Sequence, residues 1–433
     1  MAADGVQARD MADAVARRSY GKLVAFLAAR AGDVAAAEDA LSEAFAAALA
    51  DWPAHGCPAN PEGWLLVTAR RKLADEARRR RTASLAAGQL QLLAEPVFGE
   101  AEIPDQRLAL MFVCAHPAIE AGLRAPLMLQ TVLGLDAKTI ASAFLTSAAA
   151  MSKRLVRAKE KIRQAAIPFA IPGRDELPAR LEAVLDAVYA AFAEGWSDPA
   201  GTDVARRDLT AEALFLARLL ADLLPQEPEV LGLLALMLYA EARRRARRTA
   251  EGEYAPLAQQ DPSLWDAAMI AEAEERLRRA AEMGSIGRRQ LEAALQSAHV
   301  ERCRSGRSNW IEVLKLYDAL LALDGSPVVA LNRALAVAEV HGAAAGLEAM
   351  EGIAGHPRLN EYQPWWAARA ELLARTGEYA AAQHAYGIAI GLERDPAVRR
   401  FLQGRLASRA VTPWEPGNRG ARRPVTWGNP SAG

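Results

Sequence analysis

The stretch "LGLDAKTIASAFLTSAAAMSKRLVRAKEKIR", Leu133 to Arg163, decides the reading of this chain. Asp136 stands where an N-cap would open a short helix, "AKTIASAF", with Ile140 and Phe144 on its apolar edge. Leu145 and Thr146 make a turn, and Ser147 is placed to cap a second helix. The spacing predicts a helix-turn-helix. On the second helix Met151, Leu155, Ala158 and Ile162 recur at helical steps and form a packing stripe, while Lys153, Arg157 and Lys161 fall on another ridge flanked by Arg154. Six basic residues and one acid lie between Met151 and Gln164. A packed face opposite a cationic ridge suits a helix laid against a regularly spaced anion such as duplex DNA. Ala148, Ala149 and Ala150 occupy the first turn, so Ser152, Lys153 and Arg157 are the residues left to hydrogen-bond to bases.

Upstream, "WLLVTARRKLADEARRRR" carries seven basic residues from Arg70 to Arg81 against Asp75 and Glu76. Four consecutive arginines at its end exceed what the helix dipole calls for, and phosphate contact is the expectation. Asn60 followed by Pro61 is a helix start, with asparagine as cap and proline at the first helical position. That leaves Asp51 to Ala59 as a loop. The preceding "VAAAEDALSEAFAAALADW" sets Leu41, Phe45 and Leu49 on one stripe and Glu38, Asp39 and Glu43 on another.

The whole chain confines these runs to local patches. It has 433 residues, more than one ordinary core needs, and its 52 basic and 53 acidic residues nearly cancel. Helix-period apolar spacing persists from Val15 almost to Leu406, so the fold class is all-α. Three breaks interrupt it. Polar, glycine and proline residues break the pattern over 83–103; "IPFAIPGRDELP" makes a proline-rich connector at 167–178; and the tail at 410–433 is too polar and too rich in glycine and proline to bury a core. The expected domains are therefore 12–82, 104–166 and 179–409.

Within the last, "WIEVLKLYDALLALDGSP" (Trp310 to Pro327) and "YAAAQHAYGIAIGLERDP" (Tyr379 to Pro396) align without gaps, with matching tyrosines Tyr317 and Tyr386 and matching leucines Leu323 and Leu392. The tyrosines are 69 residues apart, about two periods of a roughly 34-residue helical hairpin repeat. Such solenoids offer a concave face to a peptide or a folded partner. "EARRRARR", Glu241 to Arg248, reads as a solvated basic face. "FAEGW" supplies core aromatics in Phe192 and Trp196.

Other chemistries find no support. Cys57, Cys114 and Cys303 lie far apart without a CxxC, and the six histidines are scattered, so neither a metal nor a disulfide is expected. There is no GxxxxGK[ST], GxSxG or HExxH, hence no cofactor and no enzymatic activity. No apolar run reaches the roughly 18 residues of a membrane span, and no secretory leader opens the chain, which predicts a cytoplasmic protein.

In their order and spacing, "AEDALSEAF", "WLLVTARRKLADEARRR" and the opening stretch resemble bacterial sigma factors of the extracytoplasmic-function (ECF) group. The resemblance implies a sigma-2-like domain at 12–82 and a sigma-4-like domain at 104–166. It implies core RNA polymerase and promoter DNA as partners. Glu38, Asp39 and Glu43 would meet polymerase. Trp64, Arg70, Arg71, Arg78 and Arg79, with the loop before them, would capture the opened minus-ten element, and Ser147, Ser152, Lys153, Arg154, Arg157 and Lys161 would lie on the minus-thirty-five element. The sequence departs from the family pattern at Ser42, Arg71 and Ala148–Ala150. The extension resembles that of a subgroup with a tetratricopeptide (TPR)-like region, which implies a regulatory or partner-binding role. Two alternatives stay open at this point: a TPR-type adaptor with a degenerate sigma-like half, and a simple helix-turn-helix regulator.

Overall fold

A computed structural model describes residues 2–81, 104–144, 146–173, 175–196 and 204–410. The expected break at 83–103 and almost all of the expected tail lie outside the described residues. Among the described residues the chain is helical throughout, with a single isolated antiparallel bridge between Arg248 and Tyr254. It divides into two compact units, one of residues 1–195 with 204–216, the other of 196–203 with 217–433.

The first unit begins with three long helices, α1 (Ala2–Ala31), α2 (Val34–His55) and α3 (Pro61–Arg81). The helix starts follow from side-chain caps. Asp33 accepts from the Ala36 N–H at 3.1 Å, and Asn60 accepts from the Gly63 N–H at 2.9 Å ahead of Pro61. Leu23, Phe26 and Leu27 of α1, Leu41 and Ala44 of α2, and Leu65 and Ala69 of α3 are buried together as the core of this three-helix layer. The expected loop at 51–59 is shorter than the pattern suggested, because α2 runs on through Pro53 to His55 and only Gly56–Asn60 is non-helical. Trp52 explains it. Its indole is buried edge-on to Trp64 with ring centroids 5.6 Å apart, and that anchor holds the last turn helical even though Pro53 donates no hydrogen bond.

Four shorter helices follow: α4 (Arg107–Cys114), α5 (Ala121–Leu133), α6 (Ala137–Ala143) and α7 (Ala148–Gln164). Gly134 ends α5 in the left-handed region at φ 74°. Asp136 then opens α6, accepting from the Lys138 and Thr139 N–H groups at 2.8 Å each, and Ser147 caps α7 through the Ala150 N–H at 3.2 Å. Met151, Leu155, Ala158 and Ile162 are buried, as their spacing predicts. α8 (Leu177–Trp196) belongs almost wholly to this unit, where Arg180 donates to the Phe112 carbonyl at 2.9 Å. The proline-rich connector therefore ends before a helix that stays with the first unit, and α9 (Val204–Leu223) is shared between the two.

The second unit centres on α10 (Pro228–Ala242), buried on nearly every side by α11 (Ala267–Glu282) and α12 (Arg288–Ser305). Gly232 permits the close crossing, since a Cβ there would stand 2.7 Å from the Gln290 nitrogen. Helices α13 (Trp310–Asp324), α14 (Pro327–His341), α15 (Ala343–Glu351), α16 (Pro357–Asn360), α17 (Gln363–Thr376), α18 (Tyr379–Leu392) and α19 (Pro396–Ala410) continue it, with consecutive long helices packed as hairpins. Both copies of the internal repeat fold alike: the aromatic opens a helix, the tyrosine is buried, and the proline starts the next helix. Leu323, by contrast, is exposed. Tyr386 donates to Glu371 at 2.9 Å, and Arg405 closes the same network from α19.

The run Glu241–Arg248 is not a solvated face. Arg243 is buried, donating to the Tyr239 carbonyl at 3.1 Å and to Gln296. Arg244 pairs with Glu241 at 2.8 Å, Arg247 lies 3.7 Å over the Trp196 ring, and Arg248 pairs with Asp395. Burial pushes the Arg243 and Arg247 guanidiniums down to about 10, and in this group only Arg245 is exposed.

Candidate nucleic-acid interface

The exposed side of α7 carries a cluster of cationic side chains. Ser147, Ser152, Lys153, Arg157 and Lys161 are exposed there, while Met151, Leu155, Ala158 and Ile162 hold the opposite side in the core. The sequence spacing and the burial thus agree residue by residue. Among the described residues no carboxylate pairs with Lys153, Arg157 or Lys161, so these ammonium and guanidinium groups are available to an external anion. Arg154 is half-exposed and pairs with Glu120 at 3.1 Å across to the cap of α5. Val156, not singled out from the sequence, is 62% exposed between Lys153 and Arg157, which makes it the large apolar residue on this surface.

On α3 the predicted residues separate. Trp64 is half-buried against Trp52, Arg70 is buried, and Arg71 and Arg78 are exposed, with Arg78 3.3 Å from Asp75 on its own helix. Arg79 continues the helix, and its side chain lies outside the described residues. A half-buried indole and exposed guanidiniums on one helix are the residue types that base stacking and phosphate contact require.

On α2, Asp39 and Glu43 are exposed, and Glu43 pairs with Lys72 of α3 at 2.9 Å. Glu38 turns inward. Its carboxylate accepts from the ammonium of Lys159 on α7, and both side chains are nearly buried. Burial raises the Glu38 carboxyl above its ordinary value, and the Lys159 ammonium offsets part of that shift. Lys159 was not among the predicted site residues. Its position was legible, because it follows Met151 by eight and Leu155 by four and so falls on the packing stripe, where a lysine needs a buried partner.

No group of three or more His, Cys, Asp or Glu side chains that could hold a metal occurs among the described residues. Cys114 is buried, its thiol 3.3 Å from the Thr131 hydroxyl, and burial pushes the thiol up to about 12. No described helix is long and apolar enough to cross a membrane.

Comparison with known proteins adds three findings. Residues 15–83 match sigma-70 region 2, and residues 180–281 match a family of unknown function (DUF6596). An uncharacterised protein of Rhizobium meliloti (strain 1021) is 36% identical over 386 residues, which cover 87% of this chain and 90% of that protein. No solved structure matches.

Proposed function

We propose that this chain, whose residues 15–83 match sigma-70 region 2, is a sigma-70 family protein and specifically an ECF-type sigma factor acting in the cytoplasm. Sigma-70 proteins are non-enzymatic transcription factors that bring core RNA polymerase to promoter DNA, and any catalysis belongs to the polymerase. In this proposal α7 is the minus-thirty-five helix of a helix-turn-helix, with Lys153, Arg157 and Lys161 on phosphates, and Ser147, Ser152 and Arg154 beside them. Trp64, Arg70, Arg71, Arg78 and Arg79 form the minus-ten region, and Glu38, Asp39 and Glu43 meet polymerase.

The observation that carries the DNA reading is the two-sided character of α7. A helix held by four buried apolar residues while three unpaired cations project from its other side is built to meet a phosphate backbone without losing its place in the fold. The first turn of exposed alanines limits hydrogen-bond readout, so a modest set of base contacts is expected from Ser152, Lys153 and Arg157.

The second unit is proposed as a TPR-like partner-binding and regulatory domain. Its two repeat copies build matching hairpins with buried tyrosines, which supports a stacked-repeat architecture whose ligand is a protein or peptide.

The deciding experiment is run-off transcription with purified core RNA polymerase on fragments upstream of this protein's own gene and its neighbours. Specific initiation that requires the protein is expected. A protein that neither binds core polymerase nor directs a transcript refutes the proposal and favours an adaptor.

A further inference from the structure

The basic run Glu241–Arg248 of the second unit has no part in the proposed function, and it holds two guanidiniums that no described acid neutralises. Arg243, just past the end of α10, is 5% exposed; its Nε donates to the Tyr239 carbonyl at 3.1 Å, and a second nitrogen donates to Gln296 of α12. Arg247 lies with its guanidinium carbon 3.7 Å above the Trp196 ring and donates to the Trp196 carbonyl at 3.1 Å. All of these acceptors are neutral. The acids nearby are committed elsewhere, Glu241 to Arg244 and Asp395 to Arg248. Trp196, Arg243 and Arg247 all belong to the second unit.

Two such groups are poorly suited to stability alone. A charge taken out of water without a counter-ion destabilises the fold, and apolar side chains of similar size would often hold these positions as well. Arg247 is also close enough to Arg243 to add repulsion to the burial that already disfavours its charge. Donors are left over as well. The hydrogen bonds named engage two nitrogens of Arg243 and one of Arg247, out of three on each guanidinium. The Trp196 indole N–H, in a side chain only 8% exposed, has no hydrogen-bond partner among the described residues. Excess positive charge and unused N–H donors in one place are the complement of an oxyanion.

We infer that the second unit holds a receptor site for one small phosphoryl dianion, inorganic phosphate or the head group of a phosphate monoester, bound by Arg243 and Arg247 with the Trp196 indole N–H as a neutral donor beside them. Charge sets the class of ligand. Two uncompensated guanidiniums match one phosphoryl group, which carries about −1.5 to −2 at neutral pH, whereas a carboxylate balances only one of them. The planar fork of arginine suits phosphate oxygens, and stacking on Trp196 holds the fork of Arg247 in place. Arg247 keeps part of its surface in solvent, so a small ion can reach it, while the burial of Arg243 leaves no room for a folded partner there. The site is thus distinct from a face that would take a protein or peptide, and it stands whether or not the chain directs transcription.

The test is isothermal titration calorimetry of the full chain, freed of phosphate, with inorganic phosphate, glycerol 3-phosphate and acetate at constant ionic strength, alongside thermal unfolding. One phosphoryl ligand per chain is expected, and at a hundred-fold excess over its dissociation constant unfolding should move up by about 5 °C. Arg247→Met should weaken binding ten-fold or more. Trp196→Phe keeps the ring and removes the N–H, and should weaken it about three-fold or more. Arg245→Ala, two residues from Arg247 and exposed, should leave it unchanged. Circular dichroism shows whether each variant is folded, and because Arg247 and Trp196 lie on different helices, Trp196→Phe decides if Arg247→Met does not fold. Tighter binding of glycerol 3-phosphate than of phosphate supports a metabolite head group, and the reverse supports the free ion. The inference is overturned if neither phosphoryl ligand binds the unaltered chain, if acetate binds as tightly as they do, if the folded variants at Arg247 and Trp196 bind as the unaltered chain does, or if Arg245→Ala loses as much as Arg247→Met, which would mark a general effect of surface charge.

Discussion

Replacing Arg157 with alanine should separate the two sides of α7 in one experiment. Arg157 is exposed and pairs with no carboxylate among the described residues, so removing it should shift unfolding by no more than about 0.5 kcal/mol. Leu155, two residues earlier, is 1% exposed, and its replacement by alanine should cost roughly 2–5 kcal/mol through lost burial and the cavity left behind. For DNA the order reverses. If Lys153, Arg157 and Lys161 each neutralise one phosphate, their joint contribution to the slope of log K against log salt is about −2.7, and Arg157→Ala should reduce that contribution to about −1.8. Fluorescence anisotropy of a labelled duplex carrying the promoter's minus-thirty-five segment, bound by the polymerase complex over a range of sodium chloride, gives the slope, and urea denaturation of the free protein gives stability. An unchanged slope in Arg157→Ala refutes the assignment of this surface to DNA. A loss of stability above about 1 kcal/mol refutes the claim that Arg157 is structurally idle.

Three further outcomes follow from named contacts. Glu371→Ala should lower the stability of the second unit by about 3 kcal/mol, because it strands the Arg405 guanidinium and removes the acceptor of the Tyr386 hydroxyl; denaturant unfolding checks it, and a loss below about 0.5 kcal/mol would show the network to be idle. Asp136 accepts backbone N–H bonds from Thr139 and Lys138, which hold its carboxyl below the ordinary range; the stability it lends is present above the usual carboxylate value and fades as pH falls through the depressed one, so unfolding of Asp136→Ala, lower by about 1 kcal/mol at neutral pH, should converge on that of the unaltered protein in acid. Cys114, with its buried thiol pushed up to about 12, should resist iodoacetamide at pH 8 in the folded protein and react once denaturant is added; mass spectrometry of the peptide decides.

The parts of this fold that were legible in the sequence are those whose signal is local. The capped starts at Asn60 and Ser147, the stripe Met151–Leu155–Ala158–Ile162 and the repeat spanning Tyr317 and Tyr386 each carry their partners within a turn or a period, and the helices appear where these patterns place them. What escaped is decided by partners far away in the chain. Glu38 looks like its solvated neighbour Asp39 until Lys159, 121 residues on, is brought to it. The arginines of Glu241–Arg248 look solvated until Gln296, Asp395 and the Trp196 ring are folded around them. The end of α2 was misjudged for the same reason, since the proline at 53 is visible locally and the Trp52–Trp64 contact that overrides it is not.

The same distinction governs how the extension should be tested. A cut near Pro172 follows the sequence, which places a proline-rich connector there, and on that basis a shortened chain should differ from the full one only in regulation. The structure assigns the next helix differently. α8 lies in the first unit, Arg180 donates to the Phe112 carbonyl, and Leu181, Val184, Leu185 and Val188 are buried. A chain ending at Pro172 loses all of that apolar surface, so the first unit itself should unfold several degrees lower, and a loss of promoter output could not be assigned to regulation. Scattered single substitutions that disable the second unit in place, such as Glu371→Ala, leave α8 intact and therefore isolate the regulatory question. Thermal unfolding of the two kinds of variant, followed at the Trp52–Trp64 pair of the first unit, should show a lowered transition for the truncation and an unchanged one for Glu371→Ala. Equal transitions would mean that α8 contributes nothing to the first unit, and the cut at Pro172 would then be the clean test that the sequence suggests.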